Sequence, residues 1–154
     1  MGIVYRALDP STGQEVAIKL MSAAGLAVPG SVARFERECQ ATLRLRHPNI
    51  ISVIKAGSVG SSPYLVLELV EGLDLDQRLR EGPLPPREAA ELGVQIAAAL
   101  DHAHHRQVLH RDLKPANVML HPVRGALLTD FGLTTPESAS GPTSTASARS
   151  STRP

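Results

Sequence analysis

The feature that most constrains this chain is a polar loop, His110-Arg111-Asp112-Leu113-Lys114-Pro115-Ala116-Asn117, followed after a short apolar stretch by Asp130-Phe131-Gly132. Two acids and an amide in this order suit metal-assisted phosphoryl transfer. A triphosphate needs divalent cations to neutralise charge on its transferring oxygens, and those cations take hard oxygen ligands. Asn117 and Asp130 can supply them. Asp112 is left to accept the proton of a substrate hydroxyl or to orient it, while Lys114 can sit on the γ-phosphate as a point charge.

The rest of the chain has to build a frame for that loop. Ile3-Val4-Tyr5 and Val16-Ala17-Ile18 carry strand formers on either side of Asp9-Pro10-Ser11-Thr12-Gly13, so residues 1–20 read as a hairpin. Val32, Phe35, Cys39, Thr42 and Leu43 recur at helical spacing over 32–45, and His47-Pro48-Asn49 stops that helix. Ile50–Ile54 and Tyr64–Val70 read as two further strands separated by Gly57 to Ser62.

From Leu73 the pattern turns helical. A short helix spans Leu75–Arg80, and a longer one follows Pro85-Pro86 with Leu92, Ile96, Ala99, Leu100 and Ala103 on one face. Val118–Leu120 and Ala126–Leu128 read as a small hairpin. Strands first and helices later argue for an α+β fold of two lobes rather than alternating βαβ units. The last segment, 134–154, holds only Ser, Thr, Ala, Pro, Gly, Arg and Glu. It cannot bury enough apolar surface to offset its ordering entropy, and is expected to be disordered.

Bulk properties exclude several classes. With Tyr5, Phe35, Tyr64 and Phe131 as the whole aromatic complement, a core must come from Leu, Ile, Val and Ala. A formal net charge of +1 gives no field that would select nucleic acid or an anionic membrane. Cys39 stands alone, which rules out an intramolecular disulfide and fits a reducing compartment. No apolar run is long enough to span a bilayer, and the first residues lack the pattern of a signal peptide. The expectation is a cytoplasmic chain without a membrane span.

On these residues the chain resembles the eukaryotic-type serine/threonine protein kinases that also occur in bacteria, whose signatures include the His-Arg-Asp loop and the Asp-Phe-Gly turn. Lys114, two residues after Asp112, is the form of the serine/threonine branch. Val16-Ala17-Ile18-Lys19 is similar to the strand whose lysine holds the α/β-phosphates. The resemblance makes Glu38 its carboxylate partner, with Glu36 the rival on another helix face. Glu68-Leu69-Val70-Glu71-Gly72 resembles the hinge between lobes. By that likeness the Glu68 carbonyl and the Val70 backbone would bind the adenine edge, Leu67 would gate the back pocket and Asp74 would reach the ribose. Val4, Ala17 and Met119 would sandwich the adenine, with Gly2 as the last glycine of the phosphate loop. Arg111 is the guanidinium on which an activation-loop phosphate would dock. His110 is expected to pack on Phe131. His102, His104 and His105 form a cluster without a Cys or carboxylate at metal-site spacing.

The resemblance covers residues 1–133, as an N-lobe of antiparallel sheet and helix C to about 70 and a partial helical C-lobe from about 71 to 133. It implies a kinase domain cut short at both ends, lacking the first glycines of the phosphate loop and the helices beyond the activation loop. Those missing helices would leave an apolar face bare on the helix around 87–105. The implied activity uses ATP and Mg²⁺ to phosphorylate Ser or Thr hydroxyls of proteins. The alternative is a catalytically inactive remnant that binds nucleotide or protein.

Overall fold

Four antiparallel strands form the first sheet in a computed structural model that describes residues 3–20, 39–60 and 62–131. Strands β1 (Ile3–Leu8) and β2 (Glu15–Leu20) pair antiparallel, from Ile3 opposite Leu20 to Leu8 opposite Glu15. The Asp9 carboxylate closes their turn, accepting from the Ser11 amide at 2.9 Å and the Ser11 hydroxyl at 2.7 Å. Strand β4 (Ser62–Glu68) lies between β2 and β3 (Val53–Val59), giving the order β1-β2-β4-β3. Pro63, Leu65 and Leu67 of β4 point inward on every second residue, as the two-residue period of a strand requires.

The third strand departs from expectation. It begins at Val53 rather than Ile50 and runs through Gly57 and Ser58, which the sequence suggests as loop. Ile50 and Ile51 are withheld because they join a different sheet: the Ile51 amide donates to Leu128 O at 2.8 Å. Gly57 stays in the strand because Tyr64 lies over it, and a Cβ there would meet the Tyr64 hydroxyl oxygen at 2.6 Å. Strand β4 ends at Glu68, so residues 69–71 lie outside any strand rather than continuing it to Val70.

The second half starts with β5 (Leu73–Asp74) and helix α1 (Leu75–Arg80). Asp74 caps that helix: its carboxylate accepts from the Gln77 amide at 2.7 Å, while the Gln77 side chain accepts from the Asp74 amide at 3.1 Å. Helix α2 (Pro86–His104) has proline at its first position, where no backbone donor is lost. A 3₁₀ turn at Pro115–Asn117 leads into β6 (Val118–His121) and β7 (Gly125–Leu128), and the second sheet runs β5-β6-β7. Gly72 bends the chain into β5 at φ 149°, with Leu120 O so close that no Cβ could be placed there.

Two cores result. The first gathers Ala17, Cys39, Ile51, Val53, Leu65, Leu67 and Leu127. The second gathers Leu45, Ile50, Ala99, Ala103, Val108, Val118, Ala126, Leu128 and Phe131. The face of α2 expected to lie bare is largely covered: Ala99 and Ala103 are fully buried, and Leu92, Ile96 and Leu100 pack on the second core. The β6–β7 hairpin and the turn at Phe131 supply that cover. Val94, on another side of the helix, remains 70% exposed.

The α+β, two-part architecture agrees with the sequence reading. Of the helix expected over 32–45, residues 39–45 fall within the described residues; 39–42 are helical, and 43–45 leave the helix in a turn, short of the expected end. Gly2, Glu36, Glu38 and the 134–154 segment lie outside them.

Candidate functional site

After α2 the chain turns sharply and runs back along the second core. Val108 and His110 are buried, whereas Leu109 between them is 54% exposed. The His110 ring lies 4.7 Å from that of Phe131, and its Nε2 contacts Thr129 O at 2.8 Å. One buried imidazole therefore ties the 110 loop to the 129–131 turn. A backbone bond from the Thr129 amide to Asn117 O, at 3.1 Å, ties the same turn to the end of the loop.

These ties bring the polar groups together. Asn117, buried, donates through Nδ2 to Asp112 O at 2.8 Å and to Asp112 Oδ2 at 3.2 Å. Lys114 Nζ reaches the same Oδ2 at 2.7 Å. From the first sheet Lys19 Nζ reaches Asp130 Oδ1 at 2.5 Å, with side chains 15% and 25% exposed. Two non-glycine residues here sit in the left-handed region, Arg111 at φ 63° and Asp130 at φ 65°. Such backbone costs roughly 1–3 kcal/mol per residue and persists only where neighbours hold it. The two bonds on His110 and Thr129 are those neighbours.

Electrostatics favour an ionised Asp112. The hydrogen bond from Lys114 holds its carboxyl below the usual range, aided by the Lys114 charge and the Asn117 amide and opposed by partial burial. The oxygens also fit a hard cation. Asn117 spends its amide nitrogen on Asp112, so its carbonyl oxygen is the group that could meet a cation. Lys19 and the Thr129 hydroxyl both approach Asp130 through Oδ1 alone.

The other expected residues divide. Ala17 and Leu67 are buried in the first core, and Met119 and Val70 pack against it, so β2, β6 and the segment after β4 meet on one apolar surface. Val4 pairs with Lys19 across β1–β2 and is 58% exposed. The Asp74 carboxylate is committed to capping α1 through Oδ1, a role the sequence reading did not assign. Glu68 pairs with Val16, and its side chain bonds Arg124 at 3.1 Å. Nothing in the motifs pointed to Arg124. The signal would have been the basic residue in the hairpin turn, which composition alone cannot distinguish from a solvated one.

The clustered histidines take other partners among the described residues. His102 sits 5.0 Å from His47, ring to ring, with its Nε2 buried, and Arg106 approaches its Nδ1 at 3.3 Å. His105 turns back to Asp101 O at 2.9 Å. Burial lowers the pKa of both His47 and His102, and the Arg106 and His47 charges lower His102 further, against a small pull from Asp101. A histidine lowered on folding is protonated first in the unfolded chain, so stability is full above the unfolded value of about 6.5 and falls as pH drops through it. Urea midpoints are therefore expected to decline between about pH 7.5 and 5.5. The decline should be shallower in His102→Gln, and an equal decline would remove this pair as its source.

Comparison with known proteins gives the same direction. The family profile described as protein kinase domain matches residues 1–152. The chain is 39% identical over 136 residues to the serine/threonine-protein kinase PrkC of Bacillus subtilis, covering 88% of this chain and 21% of that protein. It is 38% identical over 153 residues to the probable serine/threonine-protein kinase SCO3848 of Streptomyces coelicolor, covering 96% and 23%. The chain thus spans about a fifth of the length of these curated relatives. The PknI kinase domain of M. tuberculosis superposes with a TM-score of 0.82 at 36% identity, over 88% of this chain and 55% of that one. Rad53 in complex with AMP-PNP superposes at 0.76 and 29% identity, over 86% and 35%.

Proposed function

Because this chain belongs to the protein kinase domain family, we propose that it carries the phosphoryl-transfer centre of a serine/threonine kinase, acting with ATP and Mg²⁺ on protein hydroxyls. The observation that carries this reading is that Asp112, Lys114 and Asn117 bond one another within one loop, that Lys19 reaches Asp130 from β2, and that the Thr129 amide, next to Asp130, bonds Asn117 O of that loop. Solvated loop acids would have no reason to share these bonds.

Each side chain then has a task. Asp112, kept ionised, accepts the proton of the incoming Ser or Thr hydroxyl or orients its oxygen for attack. Lys114, which bonds that carboxylate, would meet a γ-phosphate oxygen as a point charge. Lys19 holds the α/β-phosphates from β2, and Glu38 would pair with it from the following helix. Asn117 and Asp130 would hold Mg²⁺, which when bound neutralises charge on the transferring oxygens. Ala17, Val4 and Met119 would enclose the adenine, with the Glu68 carbonyl and Val70 backbone at its edge and Asp74 toward the ribose. Gly2 would approach the phosphates.

The test is incubation with γ-labelled ATP, Mg²⁺ and a generic protein substrate. Label on Ser or Thr that vanishes with EDTA and in Asp130→Asn supports the reading. Binding of labelled ATP without transfer would instead support a nucleotide-binding module, and neither binding nor transfer would defeat both.

A further inference from the structure

Arg124 occupies the β6–β7 turn, outside every motif read from the sequence. Its guanidinium is nonetheless shared between two distant segments. Nη2 and Nε donate to Pro48 O at 2.9 and 3.2 Å, and Nη1 donates to Glu68 Oε1 at 3.1 Å. The same Oε1 accepts from the Ser52 amide at 3.1 Å. The Arg124 and Glu68 side chains are 32% and 29% exposed, so solvent screens this contact only in part. The backbone of the turn is held as well: Asn49 Nδ2 donates to Arg124 O at 3.2 Å and Ala126 O at 2.8 Å, and the Leu128 amide donates to Asn49 O at 2.9 Å.

The position of Glu68 gives this cluster its meaning. It is the last residue of β4, immediately before the 69–71 segment that leads from the first sheet to the second. A planar fork with several fixed donors sets the relative placement of the groups it binds, which a flexible ammonium cannot do. We propose that Arg124 is a positioning residue that latches the second sheet to the end of β4 and so fixes the width of the nucleotide cleft between Ala17 on β2 and Met119 on β6. The cleft assignment rests on the proposed function; the latch itself does not. Without the fork, the linking segment gains freedom that bound nucleotide must then remove, and affinity falls.

The experiment uses the full chain with Arg124→Lys, Glu68→Gln and the double variant, plus Arg124→Met if it folds. Amide hydrogen exchange without nucleotide is the first readout. Exchange at Ser52 should speed up about tenfold in each variant, the equivalent of one hydrogen bond, while the β1–β2 amides at Tyr5 and Ile18 keep their rates. Titration with fluorescent Mg-ADP is the second: affinity should fall several-fold in each single variant and no further in the double. Unchanged exchange at Ser52, a uniform rise that includes β1–β2, or additive losses in the double variant would each overturn the latch. A parent chain that binds no nucleotide would overturn the functional reading and the cleft assignment together, while the exchange data would still decide the latch.

Discussion

Asp112→Asn is expected to lower phosphoryl transfer by about 10²–10⁴-fold, the range a positioned general base contributes, while nucleotide affinity stays where it was. Asn keeps the shape of the side chain and can still meet Lys114 Nζ and the Asn117 amide with one oxygen, so the loop should hold its path. What it loses is the negative charge and the ability to take a proton. The pH profile sharpens the assignment. Transfer needs the carboxylate ionised, and Lys114 holds its pKa below the ordinary value. The acid limb of the rate should therefore lie low in the parent. In Lys114→Ala it should move upward, because the hydrogen bond and the charge that lower the pKa are both gone. Equal rates in parent and Asp112→Asn, measured as label transferred per unit time at saturating Mg-ATP, would mean that the base lies elsewhere.

Much of this site was legible because its chemistry is local in sequence. Asp112, Lys114 and Asn117 lie in a single loop, and a turn-forming proline directly after Lys114 marks them without knowledge of the fold. Helix α2 was legible for a related reason: Pro86 marks its start and the 92–103 stripe its buried face. What escaped depends on pairing between distant segments. Ile50 and Ile51 have every property of strand residues, and their placement against Leu128 follows from which sheet is nearer in space. The ion pair of Lys19 with Asp130 crosses from β2 to the far end of the chain. Arg124 is the clearest case. In sequence it is a surface cation in a turn, and only the fold sets it against Glu68 and Pro48.

Leu127→Ala and Leu128→Ala are expected to destabilise the chain by about 2–5 kcal/mol each, the cost of removing a buried leucine and leaving a cavity. Both side chains are 0% exposed, yet they belong to different cores. Strand geometry explains this: adjacent residues of β7 point to opposite faces, so Leu127 enters the first core and Leu128 the second. The neighbouring strand repeats the arrangement, with Val118 in the second core and Met119 against the first. The β6–β7 hairpin is therefore a shared wall, and damage on either face should be felt through the whole chain. Urea unfolding followed by circular dichroism should show one transition whose midpoint falls in both variants with little change in slope. Val94→Ala, at a residue 70% exposed, should stay within about 0.5 kcal/mol of the parent. If Leu127→Ala instead moved only an early transition and Leu128→Ala only a late one, the two cores would be independent folding units, and the hairpin would not couple them.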